Sequence, residues 1–271
     1  MKNQPCVEFL QWCLPQLGYQ WKGFRKVRKQ VCKRIKHRFS DLHLSTYPEY
    51  RDYLAFHETE WNVLDALCYV TVSRFYRDRK VFDILQSEIL PMLADSAIKT
   101  GTGVLRCWSA GCCAGEEPYT LKMLWEECLA AEYESRIALQ IIATDRNTAL
   151  LERAKHGVYP EGSLKELAGD VISKAFIKKD KSYVLKKQFK TGITFAAQDI
   201  RKDLPDGKFD LVLCRNLVFT YFKDDLQGEM VSRIVRKLKP EGLLVIGAHE
   251  SLPAEQAILF PYRAYPCIFQ Q

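Results

Sequence analysis

The pattern of apolar and polar positions divides the chain into a helical first third and a remainder in which strands and helices alternate. In residues 22–38 apolar side chains recur every three or four positions, which predicts one face of an amphipathic helix. Residues 40–67 continue with helical spacing, and strand-like runs begin only at about residue 104. We therefore predict a basic helical domain over residues 1–68 and linker helices over residues 69–103.

The rest of the chain, residues 104–271, alternates between short apolar runs and helical patterns. The predicted strands are residues 104–109, 139–145, 191–199, 208–214 and 242–248. The predicted helices are residues 118–131, 147–156 and 223–238, with Lys-Pro-Glu-Gly at 239–242 as a stop signal after the last. This alternation predicts an α/β fold with a mainly parallel sheet covered by helices on both faces. Ligands of such sheets bind beyond the carboxyl ends of the strands.

Composition narrows the class of protein. The chain has 271 residues, of which 47% are hydrophobic, and this share excludes a disordered or low-complexity chain. It contains no run of 18 apolar residues, so we expect no membrane insertion. The first residues lack the pattern of a signal peptide, and we expect a cytoplasmic protein whose ten cysteines are reduced thiols. No cysteine spacing suggests a metal site, and we predict none.

Positive charge is concentrated in one segment. The formal net charge is +7, and residues 22–38 contain nine Lys or Arg and no acidic residue. Like charges at helical spacing repel each other, which favours a face that docks on an acidic surface. A solvated surface helix and a phosphate-binding face remain alternatives.

The loop after the first predicted strand combines glycines with acids. Gly111 and Gly115 permit a tight turn, and Glu116 and Glu117 follow at the start of the next helix. The spacing is not that of a dinucleotide-binding loop, and two carboxylates at a helix N-terminus repel phosphate. The loop suits a ligand with positive charge such as S-adenosylmethionine. The alternative is that the acids only stabilise the helix dipole.

Polar residues also end two other predicted strands. Asp145 ends the second strand, where an acid can accept hydrogen bonds from ribose hydroxyls or merely cap the next helix. Arg215 and Asn216 directly follow the fourth strand. They need partners if they are buried, unless both reach solvent at the edge of the sheet.

Taken in order, these motifs resemble the CheR-type methyltransferases. The matching segments are SAGCCAGEEPY at 109–119, ATD at 143–145, FDLVLCRN at 209–216, LKPEGLL at 238–244 and HESL at 249–252, with VSRFYRD at 72–78 upstream. The resemblance implies a class I, Rossmann-like methyltransferase domain over 104–271, with a small antiparallel β lobe at about 160–190. It also implies S-adenosylmethionine as cofactor, S-adenosylhomocysteine as product, and methyl esters formed on glutamates of chemoreceptors.

The resemblance and the strand-end residues together predict the site. The predicted cofactor contacts are Thr71, Ser73, Arg77, Gly111, Glu117, Asp145, Asp199, Ile200, Asn216 and Leu217. The predicted catalytic residues are Arg77, which would orient the acceptor carboxylate, and Tyr221, beside the attacking oxygen. The alternative role of Arg77 is a structural salt bridge with Asp78 or Asp83. The segment before Tyr221 has one residue more than the family motif, so the position of the catalytic tyrosine is open by one residue.

The predicted partner is an acidic protein, such as the cytoplasmic domain of a chemoreceptor, bound through helix 22–38. Two alternatives stay open: a methyltransferase of the same fold that acts on another protein or a small carboxylate, and a non-catalytic module that binds the cofactor. Nucleic acid is disfavoured as a substrate because the chain lacks an N/D-P-P-Y-type motif.

Overall fold

The computed structural model describes residues 4–133, 136–254 and 258–271. The chain forms two compact units. The first consists of Met1–Thr71 and Thr220–Gln227, and the second of Val72–Phe219 and Gly228–Gln271. Residues 72–103, predicted as a linker, thus belong to the second unit. The short segment Thr220–Gln227, late in the chain, belongs to the first.

The first unit is helical, as the apolar spacing predicts. Its helices are α1 (Gln4–Cys13), α2 (Trp21–Phe24), α3 (Arg28–Asp41), α4 (Tyr47–Phe56) and α5 (Glu60–Cys68). The prediction of one continuous helix over 22–38 is wrong, because a turn at residues 25–27 separates α2 from α3. Gly23, within α2, has low helix propensity. The apolar stripe itself is confirmed, since Val31, Ile35 and Phe39 are buried.

The core of the first unit contains an aromatic cluster and a partly buried ion pair. The ring of Tyr50 packs against Phe9 and Phe39, with centroids 5.7 and 5.3 Å apart. Beside them, Glu60 accepts hydrogen bonds from Arg38 at 2.8 and 2.9 Å and from the Tyr50 hydroxyl at 2.8 Å. Burial alone would raise the pKa of Glu60, but these hydrogen bonds outweigh it, and the pKa is lowered. The carboxylate thus remains charged and paired.

Cys6 of α1 and Cys32 of α3 form a disulfide. The prediction that all ten cysteines are reduced is therefore wrong for this pair. Their Cα atoms lie 6.1 Å apart, within the range that a disulfide spans. The other eight cysteines are free thiols, most of them buried.

Helices of the second unit surround a sheet. Those before the β lobe are α6 (Arg79–Ile84), α7 (Leu90–Lys99), α8 (Glu116–Leu124), α9 (Ala130–Tyr133) and α10 (Thr148–His156). The others, the last two of which extend into the first unit, are α11 (Glu161–Leu164), α12 (Gly169–Ala175), α13 (Val218–Tyr221) and α14 (Asp224–Val235). Single π-helical turns at Leu85–Ile89 and Trp125–Leu129 connect α6 to α7 and α8 to α9.

The main sheet has the order β6-β2-β1-β7-β8-β10-β9 within the described residues. Its strands are β1 (Val104–Ala110), β2 (Ala138–Asp145), β6 (Ile193–Ala197), β7 (Phe209–Cys214), β8 (Leu238–Ile246), β9 (Phe260–Pro261) and β10 (Ile268–Gln270). The first five are parallel to one another, whereas β10 and β9 add antiparallel pairs at the edge. The α/β class with a mainly parallel sheet is confirmed.

The predicted stop signal at 239–242 is wrong. Strand β8 begins at Leu238 and runs through this segment, and α14 ends at Val235. Glu241 adopts φ +60°, and the pairing with β7 shifts register between Phe209 and Leu211. The Pro-Glu-Gly segment is therefore an irregularity within a strand, which Pro and Gly also favour.

The antiparallel lobe is confirmed as a small separate sheet. It consists of β3 (Val158–Pro160), β4 (Phe176–Lys179) and β5 (Ser182–Leu185), in the order β3-β5-β4. The β4–β5 turn contains Asp180 at φ +49°.

No helix in the described parts of the chain has both the length and the apolar character needed to cross a membrane.

Candidate functional site

The carboxyl ends of β2, β1, β7 and β8 lie side by side, because these strands are parallel neighbours in the sheet. Loops that leave these ends carry the glycines, acids and amide singled out in the sequence. Nine of the predicted cofactor contacts belong to this second unit. Thr71 and Tyr221 belong to the first unit, where Thr71 is exposed.

The loop after β1 is fixed to the end of β2 through backbone contacts. The N–H groups of Gly111 and Cys112 both donate to the carbonyl of Thr144, at 2.8 and 3.0 Å. Gly111 has φ +73°, and a Cβ added to it would lie 2.7 Å from Cδ2 of Leu217. Glycine is thus required both for the turn and for the close packing of Leu217, the predicted cofactor contact after β7.

Glu117 is held by a buried arginine. Its carboxylate accepts from the Ser109 hydroxyl at 2.8 Å and from Nη1 of Arg215 at 3.1 Å. Nη2 of Arg215 donates to Asp78 at 2.9 Å, and its guanidinium lies 4.9 Å from the ring centroid of Phe82. With its side chain only 2% exposed, Arg215 is a fixed buried cation that orients both acids.

Glu116, next in sequence, has a different environment. Glu116 is 3% exposed, and its carboxyl is hydrogen-bonded to Ser73. The oxygen Oε2 of this carboxyl has no hydrogen-bond partner among the described residues. Burial raises the pKa of Glu116 above the ordinary value for glutamate. The two adjacent acids therefore differ: Glu117 pairs with a cation, and Glu116 is a buried carboxyl beside the predicted contact Ser73.

Asp145 ties the end of β2 to the loop after β1. The side chain accepts from the N–H of Cys113 at 2.9 Å and from the N–H of Asn147 at 2.8 Å. The cap of α10 is Asn147, whose side chain accepts from Leu150, so Asp145 is not the N-cap of that helix. These backbone donors fix the position of the carboxylate at the end of β2. This geometry is compatible with the predicted ribose contact.

Asp199, after β6, is already paired. It accepts from the backbone N–H and from Nε of Arg201, both at 3.0 Å, and Arg146 lies 4.0 Å away. Burial alone would raise its pKa, but the hydrogen bonds from Arg201 outweigh this, and the pKa of Asp199 is lowered. The carboxylate can therefore only accept hydrogen bonds. Ile200, beside it, is buried.

Asn216 is positioned by an acid from the end of the next strand. Its backbone has φ +54°, and its N–H donates to Oε2 of Glu250 at 2.9 Å. The same oxygen accepts from the N–H of Gly247 at 2.6 Å. Glu250 thus joins the loops after β7 and β8, and the alternative that both Arg215 and Asn216 reach solvent is wrong for Arg215.

Arg77 makes neither of the salt bridges that the sequence left open. Its Nη1 donates to the carbonyl of Val72 at 3.0 Å, and the side chain is half-buried. Asp78 instead pairs with Arg215, and Asp83 accepts from the Tyr76 hydroxyl at 3.0 Å. Arg77 therefore keeps N–H groups that can donate to a substrate carboxylate.

In the first unit, Tyr221 lies in the segment Thr220–Gln227. Its ring packs edge-on against Phe24, with centroids 5.2 Å apart, and its carbonyl accepts from the N–H of Gln20 at 2.8 Å. The candidate catalytic tyrosine is thus anchored by residues of the N-terminal helices.

Sequence reasoning did not identify three supporting residues: Ser109, Asp78 and Glu250. All three lie in segments that carry the resemblance: Ser109 in 109–119, Asp78 in 72–78 and Glu250 in 249–252. Their contacts to Glu117, Arg215 and Asn216 depend on the fold and were not predicted. Among the described residues, no group of three or more His, Cys, Asp or Glu side chains could hold a metal ion.

Comparisons with known proteins give one consistent result. The family model described as CheR methyltransferase, SAM binding domain, matches residues 71–265. A chemotaxis protein methyltransferase of Listeria monocytogenes is 32% identical over 195 residues, 71% of each chain. That of Escherichia coli is 28% identical over 249 residues, 88% of this chain and 82% of the relative. A solved N-methyltransferase, NodS from Bradyrhizobium japonicum, has a TM-score of 0.31 at 14% identity over 62% of this chain and 70% of that chain.

Proposed function

Because the chain belongs to the CheR methyltransferase family, we propose that it forms methyl esters on glutamate side chains of chemoreceptors. Membership of the family makes the chain an S-adenosylmethionine-dependent methyltransferase with a Rossmann-like domain. The acceptor, the role of each site residue and the cytoplasm as the place of action are the proposal. The observation that carries it is the match to residues 71–265 together with a strand-end site of carboxylates that does not suit phosphate.

The residues at the strand ends fit the cofactor. S-adenosylmethionine supplies the methyl group when bound, and its ammonium and ribose hydroxyls are hydrogen-bond donors that require acceptors. Glu117 and Asp145 provide carboxylate oxygens, and Asp199 would accept from the amino group of adenine.

The chain needs no general base for this reaction. A glutamate carboxyl with an ordinary pKa of about 4.3 is already ionised at pH 7. The task of the protein is to orient that carboxylate and exclude water from it. Arg77 would orient the carboxylate through the guanidinium N–H groups that do not donate to the carbonyl of Val72. A guanidinium matches the geometry of a carboxylate. Tyr221 would contact the attacking oxygen.

Docking would use a face of α3 that we call the lysine face, formed by Lys29, Lys33 and Lys36. These side chains are exposed and lie four and three positions apart, on one side of the helix. The arginines of α3 that point inward have other tasks: Arg34 donates to the carbonyl of Tyr69 and Arg38 pairs with Glu60. The lysine face is therefore available to an acidic helix of a receptor, whose approach it would accelerate electrostatically.

The test is methyl transfer from labelled S-adenosylmethionine to purified cytoplasmic fragments of chemoreceptors from the same organism. We expect label on glutamate, released as methanol by mild base, and mass spectrometry should locate the ester. Receptor fragments with the modified glutamates changed to Ala serve as the matched control and should remain unlabelled. Tight binding of S-adenosylhomocysteine without label on any receptor fragment would contradict the proposal and favour another acceptor or a non-catalytic module.

A further inference from the structure

The segment Thr220–Gln227 is bound by the turn and short helix at residues 18–24 through backbone hydrogen bonds. The N–H of Gln20 donates to the carbonyl of Tyr221 at 2.8 Å, and the N–H of Lys223 donates to the carbonyl of Gly18 at 3.0 Å. The side-chain amide of Gln20 also donates to the carbonyl of Thr220 at 3.3 Å. Backbone donors and acceptors on both sides of Tyr221 are thus paired with this N-terminal segment.

Aromatic rings complete the contact. Phe24 packs edge-on against Tyr221 at 5.2 Å, and Tyr19 packs against Phe222 at 5.7 Å. Phe24 and Phe222 are buried. A ring held edge-on by a buried neighbour and fixed at its backbone has little rotational freedom, so the orientation of Tyr221 depends on α2.

Gly23 allows this close approach. A Cβ added to Gly23 would lie 2.1 Å from the carbonyl oxygen of Thr220 and 3.1 Å from Cδ1 of Tyr221. The φ of Gly23 is not in the left-handed region, so glycine is needed here for space and not for backbone conformation. Because the nearest atom belongs to the backbone, no side-chain rotation can relieve the clash. Any larger residue must displace the segment that carries Tyr221.

We propose that Gly23 and Phe24 are positioning residues for methyl transfer, which act by fixing Tyr221. The inference rests on the proposed function and on the role of Tyr221 in it. It assigns the N-terminal helical unit a part in the chemical step as well as in docking. Neither residue is catalytic, since each acts through the tyrosine.

The experiment compares Gly23→Ala with Gly162→Ala, an exposed glycine whose added Cβ has no atom within 4 Å. We expect kcat of Gly23→Ala to fall about 10- to 100-fold, as misplacement by about 1 Å can cause. Affinity for S-adenosylhomocysteine and KM for the receptor fragment should stay near wild type. Gly162→Ala should match wild type in every measurement.

A double-mutant cycle tests whether the effect passes through the tyrosine. Tyr221→Phe keeps the ring contact with Phe24 but removes the hydroxyl. If Gly23 acts through Tyr221, adding Gly23→Ala to Tyr221→Phe should lower kcat by less than about threefold. Full additivity of the two losses, or an unchanged kcat for Gly23→Ala, would overturn the inference.

Amide hydrogen exchange gives a readout that does not require activity. Gly23→Ala should accelerate exchange at Gln20 and Lys223, whose N–H groups bridge the two segments, without lowering the unfolding midpoint of the second unit. If Gly23→Ala does not fold, Phe24→Leu, which removes the edge-on ring, takes its place with the same expected pattern. A wild-type protein that methylates no receptor would refute the proposed function; unchanged exchange in these variants would refute the positioning role alone.

Discussion

Charge is used in opposite ways by the lysine face of the first unit and by the strand ends of the second. Lys29, Lys33 and Lys36 are exposed, whereas Glu117 and Asp145 are held by fixed donors inside the fold. Exposed charges are flexible and screened by salt, so they suit a large partner that needs attraction more than exact geometry. Buried, hydrogen-bonded charges suit a small ligand that must be held in one orientation. Substitutions in the second unit should therefore change catalysis and cofactor affinity, and those on the lysine face should change receptor binding.

The largest effect is expected at Arg77. Arg77→Ala removes the group proposed to orient the acceptor, so the rate of methyl transfer should fall about 100-fold or more. Affinity for S-adenosylhomocysteine, measured by calorimetry, should change much less. Arg77→Lys keeps the charge without the planar fork and should be intermediate. A wild-type rate in Arg77→Ala would remove the residue from the mechanism.

The adjacent acids allow a matched comparison within the second unit. Glu117→Gln removes a charged acceptor and should weaken binding of S-adenosylhomocysteine about 10- to 100-fold, equivalent to about 1.5–3 kcal/mol. Glu116→Gln should change this affinity less than about threefold, because Glu117 is a proposed cofactor contact and Glu116 is not. Calorimetry at pH 7 measures the affinity of both variants for S-adenosylhomocysteine. Thermal unfolding of Glu117→Gln shows whether the fold tolerates the loss of the charged partner of Arg215. Equal losses in the two variants would contradict the distinction.

On the lysine face, Lys33→Glu should weaken binding to receptor fragments about 3- to 10-fold at low salt and less at high salt. The kcat at saturating receptor should remain unchanged, because no residue of α3 is among the proposed catalytic residues or cofactor contacts. Lys165→Glu reverses the charge of an exposed lysine in the second unit and is the control. Surface plasmon resonance at two salt concentrations would measure the effect; a loss independent of salt would argue against electrostatic docking.

The smallest effect is the pH dependence of stability at Glu116. Its pKa is raised by burial, so the folded protein binds this proton more tightly than the unfolded chain does. The protonated Glu116 carboxyl therefore contributes to the free energy of unfolding below the ordinary pKa of glutamate. This contribution is lost as the pH rises through the raised pKa of the folded state. Glu116→Gln should therefore gain stability relative to wild type between pH 4 and pH 8. Urea unfolding at both pH values measures the difference, and an invariant difference would mean that Glu116 titrates normally.

Local patterns sufficed to predict the strands that position the site, because buried parallel strands are continuous apolar runs followed by polar residues. They also predicted the buried stripe of α3. They failed at residues 239–242, where a Pro-Glu-Gly turn signal lies within a strand. The pattern of a short sequence cannot distinguish a turn from a bulge.

Contacts between distant parts of the chain could not be predicted. The partners of Arg215 lie 98 and 137 positions away, and Gln20 bonds a carbonyl 200 positions away. The sequence indicated that Arg215 and Asn216 need partners, but only the topology selects which acids meet them. The same reason explains why Gly23, an unremarkable glycine in the sequence, had no predicted role.

The late segment of the first unit has a consequence for biosynthesis. A ribosome that has completed Thr71 must still add residues 72–219 before Tyr19 and Phe24 can contact the aromatic rings of the late segment. At about 5–20 residues per second, this takes roughly 7–30 s. Until then the nascent helices expose an aromatic surface without its final cover, so the N-terminal helices cannot reach their finished packing ahead of the domain that follows them.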